Sequence, residues 1–113
     1  MTFSTTARAE WVEGSVGSLQ ALDKITARIS TLEFTVGEAT RFGSLQIIIH
    51  SCRFRPPTMA PEHAALMEIR TIDHHDVVSR ETIFQGWMFA SSPALNALEH
   101  PVYDVSVLAC KKD

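Results

Sequence analysis

The sequence predicts an all-β fold, an antiparallel sandwich or barrel-like domain of about six or seven strands with one short helix near residues 92–99. Three observations support this class. Segments of alternating apolar and polar residues recur along the chain, as expected for half-buried strands. Glycine, proline and polar clusters separate those segments. Ser92 and Pro93 form a good helix start, with serine as the N-cap and proline at the first helical position.

The first predicted strand covers residues 23–29, where Ile25 and Ile29 lie on one face and polar side chains on the other. After residues 30–31 the apolar positions shift by one. A bulge or break there would return the apolar side chains of residues 32–36 to the core.

The middle of the chain predicts a central strand followed by a loop. Residues 45–52, LQIIIHSC, are rich in isoleucine, and simple alternation places His50 and Cys52 on one face. Three prolines make residues 53–62 a surface loop. Residues 64–72 then regain strand character.

The last part of the chain predicts two further strands. A polar cluster at residues 73–76 turns the chain, and residues 77–90 form a long returning strand. The short helix must end before Pro101, because proline disfavours helical geometry at the preceding residue. Residues 102–110 alternate again and close the fold.

One domain accounts for the chain, since 113 residues leave room for one core. We assign residues 10–113 to a single β domain and residues 1–9 to an N-terminal tail. The sequence Ala7-Arg8-Ala9 has the form of the end of a signal peptide, but the apolar region that should precede it is missing. The match is either chance or the remnant of a cleavage region in a longer precursor, and we favour the remnant.

Charge and hydropathy argue against several partners and groups. The net charge is -3 and the basic residues are scattered, so nucleic acid is not expected as a partner. The apolar runs are far shorter than the roughly 20 residues of a membrane-spanning helix. We expect no cofactor, because glycine-rich phosphate loops are absent.

The two cysteines, Cys52 and Cys110, have no C-x-x-C spacing and fit one disulfide more easily than a metal site. Such a bond would imply an oxidising compartment. A nucleophilic pair of His50 and Cys52 is a weaker alternative. The cluster His74, His75 and Asp76 is a weak metal candidate, and a solvated turn explains it more simply.

Two segments are candidates for binding a partner protein. A stiff, proline-rich loop loses little entropy on docking, and arginine is frequent at interfaces. The candidate residues are Arg53, Arg55, Pro56, Pro57, Ser91, Ser92 and Asn96. A carbohydrate platform built from Trp11, Trp87 and Tyr103 is an alternative, although core or rim packing explains Trp87 and Tyr103 more simply.

Four stretches carry a resemblance to a known family: LDKITARISTLEFTVGEATRFGSLQI, SCRFRPP, GWMFASSPALNALEHPVYDV and the terminal VLAC. Across about residues 21–111 the chain resembles the domain of unknown function 2155 family, small exported proteins of alphaproteobacteria and relatives. The resemblance implies a periplasmic protein with one disulfide between Cys52 and Cys110. It also supports the remnant of a signal-peptide cleavage region. Ser106 departs from the tryptophan that the family pattern favours.

These observations predict a non-enzymatic binding, accessory or scaffold domain of the bacterial cell envelope. Its expected partner is another envelope protein, whose identity the sequence does not give, and the oligomeric state is open. The alternative is a small-ligand, metal or glycan-binding domain, with or without catalysis.

Overall fold

The computed structural model describes residues 11–92, 98 and 100–112. These residues form eight strands in two antiparallel sheets, so the all-β prediction is confirmed with more strands than expected. The described part of the chain contains no helix long and apolar enough to cross a membrane. The strands are β1 (Val12–Glu13), β2 (Val16–Asp23), β3 (Arg28–Thr35), β4 (Ala39–Phe42), β5 (Leu45–Phe54), β6 (His63–Thr71), β7 (Phe84–Phe89) and β8 (Tyr103–Lys111).

The larger sheet has five strands and is built around β5. On one side of β5 lies β6, which in turn pairs with β7. Two short strands also pair with β5: β4 lies beside residues 45–48 and β1 beside Arg53 and Phe54. This sheet therefore brings Val12 at the start of the chain next to residues more than forty positions later.

The smaller sheet has three strands in the order β3-β2-β8. The predicted strand over residues 23–29 is wrong, because Asp23 ends β2 and residues 24–27 form the turn to β3. The Asp23 carboxylate accepts hydrogen bonds from the amides of Ile25 and Thr26, which holds that turn. Ala27 has a positive φ of 58°. Ile25 is 75% exposed as a result.

The break predicted at residues 30–31 is also wrong, since β3 pairs with β2 without interruption from Arg28 to Thr35. The sequence analysis missed β2 itself. Its inward positions include Gly17 and Ala21, whose small side chains weaken the apolar alternation.

The two sheets share one apolar core, and a disulfide joins them. Leu19, Phe34 and Val107 contribute from the smaller sheet, while Ile47 and Met67 are among the residues that contribute from the larger one. Every polar or charged residue in the described ranges keeps some exposure. Cys52 of β5 and Cys110 of β8 form the bond, with their Cα atoms 5.7 Å apart.

A bulge in β5 decides which residues share a face with Cys52. Ile49 pairs with Met67 and Ser51 with Leu66, so His50 is an extra residue in the strand. The prediction that His50 and Cys52 share a face is wrong. Cys52 is fully buried, whereas the His50 side chain is 47% exposed.

The predicted long strand over residues 77–90 is shorter than expected. Only Phe84–Phe89 forms β7, and Val78 makes an isolated bridge to Ile72. The Arg70 guanidinium donates to the carbonyl oxygens of Ser79 and Arg80. These bonds satisfy backbone groups of the irregular segment that leads from Val78 to β7.

The predicted helix near residues 92–99 is not seen in the part of that segment that the structure describes. Residues 93–97 and 99 lie outside the described residues. Ser92 is described, and its amide donates to the Phe89 carbonyl at 3.2 Å and closes a turn after β7. Leu98 is buried in the shared core.

Candidate functional site

A groove of about 330 Å³ lies on the outer face of the five-stranded sheet. The indole rings of Trp11 and Trp87, the benzyl ring of Phe89, the methyl group of Ala64 and the guanidinium of Arg53 line this groove. The groove is apolar apart from the arginine. We define these five residues as the tryptophan groove.

Strand register explains why three of these residues meet. Arg53 of β5 pairs with Ala64 of β6, and Ala64 pairs with Phe89 of β7, so the three form one row across the sheet. In the next row, Leu66 pairs with Trp87. Neighbouring residues in a strand point to opposite faces. Since Cys52, Ala65 and Met88 lie in the core, the side chains of the row formed by Arg53, Ala64 and Phe89 point outward.

Ala64 gives the groove its depth. Its side chain is a single methyl group between larger neighbours, and it is only 3% exposed. A larger side chain at this position would fill the groove from below. Ala64 therefore provides a way to block the groove without touching the core on the opposite face.

Each tryptophan of the groove has an arginine over its ring. The Arg55 guanidinium carbon lies 4.2 Å from the centre of the Trp11 ring. The corresponding distance from Arg53 to Trp87 is 5.6 Å. Both distances fall within the range of favourable cation-π contacts. The arginines are therefore held against the aromatic side chains.

Glu13 of β1 neutralises one of the two arginines. Its Oε1 atom accepts from Arg53 Nε at 3.2 Å, and its Oε2 atom accepts from the Ser51 hydroxyl at 3.1 Å. Arg55 makes no ion pair to any residue that the structure describes. The two guanidinium groups therefore differ in how far their charge is compensated.

Glu62 holds the corner beside Phe89. Its carboxylate accepts from the amides of His63 and Ser91 and from the Ser91 hydroxyl. Burial alone would raise the pKa of Glu62, but the hydrogen bonds from Ser91 and His63 together lower it. This corner ties the end of β7 to the start of β6.

The candidate partner-binding residues are only partly brought together. Arg53 lines the tryptophan groove, and Arg55 stacks on Trp11 at its edge. The Pro56 carbonyl accepts from the Met59 amide at 3.0 Å in the neighbouring loop. Ser91 is engaged by Glu62, beyond the Phe89 end of the groove.

The remaining three candidates lie elsewhere. Pro57 is exposed in the loop after β5, and Ser92 closes the turn after β7. Asn96 lies outside the described residues. Among the described candidates, Arg53 and Arg55 are therefore the ones that contact the aromatic rings of the groove.

The weak metal candidates form a turn. Asp73 accepts from the amides of His75 and Val77, and Asp76 pairs with Arg41 at 3.2 Å. Among the described residues, no group of three or more His, Cys, Asp or Glu side chains is arranged to hold a metal ion. The rings of His74 and His75 contact each other at a tilt, with their centres 4.0 Å apart.

His50 pairs with a carboxylate and not with a thiol. Its Nε2 atom lies 2.9 Å from Glu68 Oε1, and Arg70 donates to the other oxygen of that carboxylate. The hydrogen bond from His50, and then that from Arg70, lowers the pKa of Glu68. Because Cys52 is bonded to Cys110, the structure rules out the thiolate-imidazole pair in this oxidised form.

Tyr103 does not join the two tryptophans. It belongs to the other sheet, where its ring packs against Phe42 at 5.4 Å and His100 at 5.2 Å. The predicted platform therefore loses its third member. Phe89, which the sequence analysis did not single out, lies beside Trp87 instead.

The sequence analysis also missed Ala64. A signal for Phe89 was present in the alternation of Trp87, Met88 and Phe89, since two aromatic residues on one face flank a core residue. Ala64 offers no such signal, because an alanine acts as a groove floor only through its larger neighbours.

Comparisons with known proteins give the family. A family described as "Uncharacterized protein conserved in bacteria (DUF2155)" matches residues 17–110. The chain belongs to this family, as the resemblance predicted. No solved structure matches.

A relative supports this assignment. The chain is 33% identical over 103 residues to "Uncharacterized protein RP359" of Rickettsia prowazekii (strain Madrid E). The match covers 90% of this chain and 64% of that protein. The chain therefore spans less than two thirds of the length of this curated relative.

Proposed function

We propose that the protein is a non-enzymatic binding domain of the bacterial cell envelope, an accessory or scaffold whose tryptophan groove receives a segment of a partner protein. The single observation that carries this proposal is the convergence of Trp11, Trp87 and two arginines at one concave, largely apolar surface. Tryptophan and arginine are the residue types most enriched at the energetic centres of protein interfaces.

The contacts of the reactive side chains support a non-enzymatic role. Ser91 donates to Glu62, and His63 Nδ1 accepts from the Cys110 amide. His50 contacts Glu68, and the cysteines are bonded to each other. These groups therefore serve the fold in the structure.

The disulfide supports placement in the periplasm. Disulfides persist in oxidising compartments and are rare where thiols are kept reduced. Fractionation of cells that express the complete gene should recover the protein in the periplasmic fraction with Cys52 and Cys110 oxidised. Recovery in the cytoplasm with both thiols free would contradict this placement.

Affinity capture tests the binding role. Wild-type protein immobilised on resin should retain a defined protein from detergent-solubilised membranes. Trp87→Ala should reduce that retention by on the order of thirtyfold, because a central interface tryptophan contributes about 2 kcal/mol or more.

The matched control is Ile29→Ala, which removes an exposed apolar side chain, 61% accessible, from the other sheet. This variant should capture the same protein as wild type. Equal capture by the Trp87 variant, or no enrichment above an unrelated domain, would contradict the proposed function.

A further inference from the structure

We propose that Arg55, stacked on Trp11, recognises a carboxylate, and that the tryptophan groove takes an extended acidic segment in which an apolar side chain lies beside an aspartate or glutamate. This inference rests on the proposed function and specifies the chemistry of the partner.

The stacking geometry leaves the donors of Arg55 available. The Arg55 guanidinium carbon lies 4.2 Å from the centre of the Trp11 ring, where the ring face attracts its positive charge. A guanidinium carries five N-H donors in one plane, and contact with a ring face does not use up these donors. Among the described residues the Arg55 side chain makes no hydrogen bond or ion pair, so a carboxylate of a partner can take two of these donors at once.

Neither of the described carboxylates beside the groove forms an ion pair with Arg55. Glu13 is committed to Arg53 and Ser51, and Glu62 is committed to Ser91 and the His63 amide. Of the two arginines, Arg55 is therefore the one that no described carboxylate neutralises, although the whole chain carries a net charge of -3. Charge complementarity favours an anionic partner at this edge.

The floor of the groove favours an apolar side chain next to that anion. Ala64 and Phe89 present only carbon atoms from their side chains, and together with the tryptophans they form a concave apolar surface. A leucine- or phenylalanine-sized side chain would displace water from this surface without leaving a polar group unpaired.

The same contacts argue for a peptide over a glycan. A sugar ring stacks on an open aromatic face and needs several polar side chains for its hydroxyl groups. Here a guanidinium lies over Trp11, and the described lining offers few polar groups: the charged side chain of Arg53 and the indole N-H groups of the tryptophans. An extended peptide needs only one carboxylate and one apolar side chain.

The test uses three sets of fluorescein-labelled eight-residue peptides and the full-length chain. Each peptide holds one leucine or phenylalanine, flanked by two glutamates, two glutamines or two lysines. Fluorescence anisotropy at low salt should give binding of the glutamate set about tenfold tighter than that of the glutamine set, with the lysine set weakest. Added salt should reduce the difference.

Two variants of Arg55 distinguish the contribution of its planar guanidinium group from that of its positive charge. Arg55→Gln should remove the preference for glutamate, and Arg55→Lys should restore only part of it, since lysine keeps the charge but lacks the planar fork. Arg28→Gln is the matched control, because Arg28 is exposed at the start of β3 and has the same charge. It should keep the full preference, and thermal unfolding should show that all three variants are folded.

Three results would overturn the inference. Equal binding of all peptide sets, lost in Trp87→Ala, would leave the proposed function standing but exclude carboxylate recognition. Binding of chitin oligosaccharides in place of every peptide would identify a glycan site. Failure of all peptides together with successful membrane capture would show a protein partner of different chemistry.

Discussion

The two sheets have similar inner faces and different outer faces. Inside, both contribute apolar side chains to one core. Outside, paired positions in the middle of the three-stranded sheet carry polar side chains, including Ser18, Gln20 and Thr31. The outer face of the five-stranded sheet carries Trp87 and Arg53 in a groove. The smaller sheet therefore covers the core, and the larger sheet both covers the core and presents a binding surface.

This difference separates exposed apolar residues from a binding site. Ile25 and Ile29 are 75% and 61% exposed, but they lie at the β2–β3 hairpin and do not line the groove. Trp11 and Trp87 are partly covered and share their surface with arginines. Convergence and shape, more than exposure, distinguish the candidate site.

The disulfide joins the two sheets, and its removal should have the largest effect on their common stability. Cys52 and Cys110 are 58 positions apart, so the double variant Cys52→Ala/Cys110→Ala should lose about 4 kcal/mol of unfolding free energy in the chain-entropy model. Urea denaturation measures this loss. Reductant should destabilise the wild type by a similar amount and leave the double variant unchanged. Equal stability of the two proteins would contradict a structural role.

Substitutions at two neighbouring residues of β7 should have different effects, one on core stability and the other on binding in the groove. Met88→Ala should cost about 3 kcal/mol of stability, because Met88 is 2% exposed and packs in the core. Trp87→Ala should cost about 1 kcal/mol and mainly reduce partner binding. Denaturation and capture assays on the same two proteins check this. If Met88→Ala impaired binding without a loss of stability, the assignment of the faces would be reversed.

Close packing inside the smaller sheet should make Gly17 sensitive. A Cβ atom there would lie 2.3 Å from the Ala109 carbonyl oxygen and 2.5 Å from Phe34 Cζ. Gly17→Ala should therefore cost about 2 kcal/mol, since both neighbours must move. Ser18→Ala, on the outer face of the same strand, should change stability by less than about 0.5 kcal/mol. Thermal unfolding of both variants provides the comparison.

The smallest predicted effect concerns Glu62 at the edge of the larger sheet. Its lowered pKa means that the carboxylate contributes its full stabilisation at and above the ordinary range of a glutamate. That contribution is lost as the pH falls through the lower pKa of the folded state. Glu62→Gln should reduce stability by about 1 kcal/mol at pH 7 and show a weaker decline in acid. If the difference in unfolding free energy between the wild type and Glu62→Gln did not change with pH, this role of Glu62 would be excluded.

Much of the fold class follows from local patterns, but several boundaries do not. The alternation in β7 agrees with the structure, in which Phe84 and Met88 pack at the core and Trp87 and Phe89 line the groove. Residues 23–29 alternate just as clearly and still form a turn, because the Asp23 carboxylate captures two amides there. Apolar alternation does not report this competing hydrogen bonding.

The sequence by itself determined the all-β class, the family, the cysteine pair and the residue types suited to recognition. Only the tertiary structure decided that Trp11, Arg53, Ala64 and Phe89 meet Trp87 on one surface. The physical reason is that alternation along a strand is a local property, whereas the register between strands depends on pairing across the whole chain. The extra residue His50 shows this most clearly, since its bulge turns Cys52 inward and leaves Arg53 in the groove.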